Sequence, residues 1–207
     1  RMEKYELEDR RWVDATDPFN VLLYYPDFQV AITLDRTLSI TSETNLWAFD
    51  LVNVQAVGTS LDNQLWVYDD QSFQLKKIDR GGQVLAESNN LNLLLPTAPR
   101  ALSIQARENR VYVNDPAMGI LVFDNFGQYI RLLDLQGLSH FQVWQDRLFY
   151  QRDTTLLAYD LRSFLTTRIA LPEGIQPTDQ VRLQRELLFV RKKDGIEVWR
   201  IDRKSVV

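Results

Sequence analysis

The 207-residue chain has no cysteine and a single histidine, His140. That excludes a disulfide framework, a thiolate zinc site and a cysteine nucleophile. It also excludes any centre that needs two imidazoles. Glycine (8) and proline (7) are too few for a collagen-like or all-loop chain. Long apolar runs are missing too. Residues 120–123 and 93–95 are among the longest, far short of the ~20 residues of a membrane-spanning helix. An excess of positive charge is also absent: 24 Lys+Arg stand against 28 Asp+Glu, a net charge of −4. A general affinity for phosphate backbones is therefore not expected, and no nucleic-acid partner is assigned. The absence of cysteine suits an envelope compartment but does not require one.

What the chain does have is apolar content and self-similarity. Hydrophobic residues make up 45% of it, and a chain of this size buries roughly 70% of the surface it exposes when unfolded. Asn63-Gln64-Leu65-Trp66-Val67-Tyr68-Asp69 parallels Asn109-Arg110-Val111-Tyr112-Val113-Asn114-Asp115. Each runs from a polar pair through strand-forming residues to an acid. A second strand follows each, ending at Asp79 or Asp124 and opening into a glycine-containing turn. Such a turn reverses the chain cheaply, because aspartate bonds its own backbone and glycine accepts positive φ. Weaker copies run from Val21 to Asp35, Leu148 to Asp160 and Leu188 to Asp202. The terminal aspartates, at 35, 79, 124, 160 and 202, are 44, 45, 36 and 42 residues apart. A period near forty with several short strands per unit is the signature of a propeller blade.

An upstream strand precedes each polar pair, beginning near Trp12, Ala56, Ala101, Phe141 and Val181, and an outer strand follows each terminal aspartate. The expected architecture is an all-β propeller of about five visible four-stranded blades in a single domain, 1–207. The blades cover approximately 11–45, 55–90, 100–137, 140–172 and 180–207. Residues 2–7 alternate, and are expected either to close the last blade or to belong to a preceding one. The intact protein then has five closed blades, or six. Arg1 in place of methionine favours six, with a leader, a lipid anchor or further structure upstream. Residues 42–52 and 88–96 break the period-two pattern. They read as insertion loops packed on the rim, with single helical turns between blades as the alternative.

The chain resembles the six-bladed NHL, TolB-like and related bacterial β-propellers over nearly its whole length, and most of all uncharacterised members from cell envelopes. Leu65 to Asp69, Val111 to Asp115 and the turns opened by Asp79 and Asp124 carry the resemblance. They specify a blade and imply no catalytic residue.

The residues offer little convergent chemistry. Asp27, Asp69, Asp115, Asp153 and Asp194 recur at the middle turns, one per blade and well apart, which suits turn capping better than a cation needing six to eight oxygens. No metal and no cofactor is expected. A glycosidase needs paired carboxylates about 5–9.5 Å apart, yet across the first strands only Asp14 is acidic. Ser139 adjoins His140, but neighbours on an extended chain point to opposite faces. Trp66, Tyr68, Tyr112, Phe123, Phe149, Tyr159, Phe189 and Trp199 recur at matching positions and are expected to pack between blades. A basic cluster of arginines and lysines from Arg182 to Lys204 is interleaved with acids, and reads as a solvated mixed-sign face or a docking surface for an acidic partner.

The leading expectation is a non-enzymatic protein-interaction scaffold or accessory subunit of a bacterial cell-envelope assembly. It would be periplasmic, tethered if at all by an upstream segment, and bound to a protein partner such as a membrane-protein complex. The alternative is a small-ligand or glycan binder using Gln142, Trp144, Arg182 and Asp14 at a channel mouth. A hydrolase or lyase acting through Asp14 comes third.

Overall fold

Five antiparallel meanders account for the described chain, which in this computed structural model comprises residues 12–17, 19–184 and 186–200. The first sheet holds β1 (Trp12–Asp17), β2 (Asn20–Tyr25), β3 (Val30–Leu34) and β4 (Ile40–Asn45). The second holds β5 (Val54–Thr59), β6 (Leu65–Asp69), β7 (Gln74–Ile78) and β8 (Val84–Glu87). The third holds β9 (Ser103–Arg107), β10 (Arg110–Asp115), β11 (Gly119–Asp124) and β12 (Tyr129–Leu133). In the fourth are β13 (Phe141–Trp144), β14 (Arg147–Arg152), β15 (Thr155–Asp160) and β16 (Thr166–Ile169). The fifth has three strands among the described residues, β17 (Gln180–Gln184), β18 (Leu187–Lys192) and β19 (Gly195–Arg200). These are the five blades of a β-propeller. Residues 2–7, the expected extra outer strand, lie outside the described residues.

The repeat forms as its aspartates dictate. Asp35 Oδ1 accepts the amides of Thr37 and Ser39, and Asp79 Oδ1 those of Gly81 and Gln83. Asp124 Oδ1 does the same for Phe126 and Gln128, and Asp160 Oδ1 for Arg162 and Ser163. Each carboxylate thereby closes the turn between third and fourth strands. In the fifth sheet the hairpin register places Arg200, rather than Asp202, at the position of Asp160. Counting back from the terminal acid therefore puts this last copy two residues out.

The chain falls into two compact units, Arg1–Gly137 and Leu138–Val207. In the first, sheets one and two clasp a core that includes Leu22, Tyr24, Val57, Val67 and Ile78. Sheets two and three clasp another around Trp66, Tyr68, Leu75, Ile104, Val113 and Phe123. The period-breaking stretches contain two 3-10 turns, Leu46–Phe49 and Leu91–Leu93, rather than plain rim loops. Asn45 and Asn90 cap them by accepting the amides of Trp47 and Asn92. Each turn drives one fully buried leucine, Leu46 or Leu91, into a core between sheets. Burial of one such side chain stabilises by about 1.5–3 kcal/mol, which explains why the pattern breaks there.

In the second unit the core includes Phe149, Leu156, Ala158 and Ile169 of the fourth sheet and Leu183, Leu188 and Val190 of the fifth. Of the recurring aromatics, Trp66, Tyr68, Tyr112, Phe123 and Phe149 are buried, Tyr159 and Phe189 are partly so, and Trp199 is exposed.

In the first unit, two sheets approach closely where β5 meets β9. A Cβ on Gly58 would lie 2.7 Å from the Ile104 carbonyl oxygen. Gly58→Ala is expected to lower stability by roughly 1–3 kcal/mol in a urea titration, and an unchanged midpoint would contradict this packing. A second expectation concerns Asp69, which accepts the Gln71 amide at 3.0 Å, the Ser72 hydroxyl at 2.6 Å and Lys76 Nζ at 2.7 Å. Burial alone would push its carboxyl up, but these bonds outweigh burial and hold it below the ordinary carboxylate value. Its contribution is complete above about pH 4 and is lost as the pH falls through the depressed value. Melting temperature against pH should therefore fall less steeply below about pH 4 in Asp69→Asn than in the parent.

Candidate functional site

The candidate ligands Gln142 and Trp144 project from the same side of β13, towards the fifth sheet. Both already have work there. Gln142 Nε2 donates to the Leu183 carbonyl and its Oε1 accepts the Leu183 amide at 3.1 Å. Trp144 leans on Phe149 with ring centroids 6.3 Å apart, at the margin of the core between the two sheets. Leu183 points into that core, so Arg182, one residue earlier, occupies the opposite and exposed face of its sheet. The three side chains of the second unit therefore do not converge. Asp14 sits in the first unit on β1, partly exposed and opposite Leu22 in the β1–β2 pair.

The Gln142 bridge has counterparts among the described residues. In the first unit Gln29 Oε1 accepts the Val54 amide at 2.7 Å while its Nε2 donates to the Val54 carbonyl at 3.1 Å. In the second, Gln151 Nε2 donates to the Asp179 carbonyl at 2.9 Å and its Oε1 accepts the Val181 amide at 3.2 Å. Each glutamine ties the next sheet's first strand, or the residue just before it, to its own sheet. A carboxamide suits this because it carries a donor and an acceptor side by side, as a strand edge does. None of these bridges shows in the sequence, where Gln142 reads as a ligand, since a lone glutamine carries no spacing signal.

Several other polar groups have local tasks. Asp115 Oδ1 accepts the amides of Ala117 and Met118 and its Oδ2 accepts that of Arg100. Lys77 lies over the Trp66 ring and binds Asp62 at 2.7 Å, and Asp62 also receives the Ser60 hydroxyl. His140 Nε2 faces the Gln180 amide at 3.1 Å, and partial burial with the Arg191 guanidinium pushes its pKa down. Among the described residues no three acids or histidines are grouped as a metal centre would require. An open hollow of about 510 Å³ lies beside Thr154, Arg168, Leu171 and Glu173, and Glu173 is the one acid on its lining.

The surface is apolar where strand packing gives no reason for it. Phe19 and Leu61, each more than half exposed, top the β1–β2 and β5–β6 turns. Those two turns are neighbours, joined by a hydrogen bond of 2.9 Å from Asn20 to Asn63. Leu38 and Phe126 are exposed on the β3–β4 and β11–β12 turns, beside the outermost strands of their sheets.

No family model matches the chain, and no curated protein matches it. Solved structures do. A protein of unknown function from Bacteroides caccae is 17% identical with a TM-score of 0.58, the match covering 89% of this chain and 71% of that one. Virginiamycin B lyase from Staphylococcus aureus is 14% identical with a TM-score of 0.54, covering 95% of this chain and 75% of the lyase. BamB from Moraxella catarrhalis is 13% identical with a TM-score of 0.53, covering 95% of this chain and 62% of BamB, so this chain spans less than two thirds of that one. At such identities the likeness is one of fold, and the fold shared with these bacterial proteins is the β-propeller.

Proposed function

We propose that the protein is a non-enzymatic interaction scaffold, an accessory subunit of a bacterial cell-envelope assembly that binds another protein through the turns of its blades. The observation that carries this reading is the pair of exposed apolar tips, Phe19 and Leu61, on hydrogen-bonded neighbouring turns. Apolar side chains at turn tips contribute nothing to a blade's core, and grouped ones mark contact surfaces. Leu38 and Phe126 extend the same character to the outer rim. Three polar side chains support it from the other side, because Gln142, Asp115 and Asp69 are engaged in holding backbone and turns. In this reading the protein works at the periplasmic face of the envelope, held by whatever lies upstream, with a membrane-protein complex as its partner. Its kinship would be with the NHL and TolB-like propellers that the repeat resembles.

The glycan-binding alternative, built on Gln142, Trp144, Arg182 and Asp14, has less to draw on. Gln142 would have to release both bonds to Leu183, and Arg182 would have to act from the other face of its sheet.

Affinity purification from detergent-solubilised envelopes tests the scaffold reading. A stoichiometric protein partner is expected with the parent chain. Its recovery should drop by about tenfold or more with Phe19→Asp/Leu61→Asp, while the melting temperature is unchanged. An absent partner, together with turnover of a glycan or lactone panel, would replace the scaffold with an enzyme.

A further inference from the structure

The fifth sheet has two faces, and only one of them is packed on the fourth. Leu183, Leu188 and Val190 occupy the packed face. Alternation along the strands therefore turns Arg182, Leu187, Phe189 and Arg191 to the other side. The β18–β19 register adds Ile196 beside Arg191, Val198 beside Phe189 and Arg200 beside Leu187. The result is an apolar centre with a guanidinium contributed by each of the three strands.

The fourth sheet shows what such a face is built for. Its β14–β15 hairpin has the same two-residue turn and register, so Leu156 and Ala158 correspond to Ile196 and Val198. Leu156 and Ala158 are each 2% exposed beneath the fifth sheet, whereas Ile196 and Val198 are 67% and 55% exposed. The charge differs as well. Arg147 on the fourth sheet's face lies 3.8 Å from Asp160. Arg182, Arg191 and Arg200 share their face with no acidic residue at any described position, and none of them forms an ion pair among the described residues.

We propose that this face is a docking surface for a partner protein presenting a β-strand or sheet with apolar side chains at its centre and carboxylates around them. Apolar contact supplies the burial that the fourth sheet's face already has. The carboxylates neutralise guanidiniums that suit planar, bidentate pairing. A second copy of this chain is the wrong occupant, because like faces would oppose three arginines with three arginines. The surface deepens the protein-binding reading with a partner chemistry, and it uses none of the residues of the Phe19–Leu61 turns.

The test uses the full chain and two synthetic β-hairpins, one with valines flanked by glutamates and one with lysines in place of the glutamates. The acidic hairpin is expected to shift the methyl resonances of Leu187, Ile196 and Val198. Its affinity should fall by roughly tenfold or more in Arg182→Glu/Arg191→Glu/Arg200→Glu, and the lysine hairpin should then bind that variant. Ile196→Asp, a single exposed change, should also abolish the shifts, and unchanged melting of both variants shows that folding is not the cause. Binding of both hairpins alike, or of neither, overturns the proposal. So does a parent dimer in sedimentation that Ile196→Asp dissolves, which makes a second copy the occupant. Protection of these methyls from a soluble paramagnetic agent in the free chain overturns it too, because the chain then covers itself. Should any of these occur while the envelope partner is still recovered through Phe19 and Leu61, this face is wrong and the scaffold reading stands.

Discussion

In the first unit the backbones of β5 and β9 approach so closely that Gly58 has no room for a side chain against Ile104. Small residues, Ala56 and Ala106, share that inner zone. Moving outward through β6, β7, β10 and β11, the side chains between the same two sheets grow to Trp66, Tyr68, Leu75 and Phe123. Two twisted sheets that touch at one edge diverge towards the other, and a close-packed interior must fill the widening gap with volume. The gradient from glycine to tryptophan is that wedge written in residues. Leu91 belongs to the same solution, brought in by a 3-10 turn because the strands alone leave the space open.

A wedge closed by apolar contact leaves the first strands with a polar problem. The amides and carbonyls on the edge facing away from the second strand have no neighbour within their own sheet, and a buried backbone group without a partner is costly. Gln29, Gln142 and Gln151 answer it in three places, each supplying one donor and one acceptor to the next sheet's edge. Glutamate in their place would offer no donor to the carbonyl and would bring a charge into a partly buried seam. The amide is thus a neutral substitute for a missing strand. Tyr24 reinforces one of these places by donating its hydroxyl to the Val54 carbonyl at 2.6 Å.

The repeat was legible because its determinants are local. Asp35, Asp79, Asp124 and Asp160 each govern residues within four positions of themselves, so their spacing survives in the sequence. The inner strands and the buried Trp66, Tyr68 and Phe123 were legible for a similar reason, as alternation has a period of two. The glutamine bridges were not, since their partners lie 25 to 41 residues away with no pattern between. Asp202 misled for the opposite reason. It continues the numerical series, while register in the fifth hairpin is set by the turn at Lys193-Asp194 and places Arg200 in line with Asp160.

For the proposed docking face, arginine in the place of aspartate matters more than any motif in the chain. On the fourth sheet, Asp160 closes its own turn and lies beside Arg147, so charge on that face is settled within the sheet. On the fifth, the same position adds a third guanidinium to a face that already has two. Exposed valine and isoleucine beside them raise the free energy of leaving that face in water, and arginines with no ion pair among the described residues steer which cover is acceptable. Apolar area without charge would accept any sheet, including another copy of itself. Charge without apolar area would gain little at physiological salt, where exposed ion pairs are weak. Together they select for a cover that is both apolar and acidic, and selection of that kind is what a recognition surface requires.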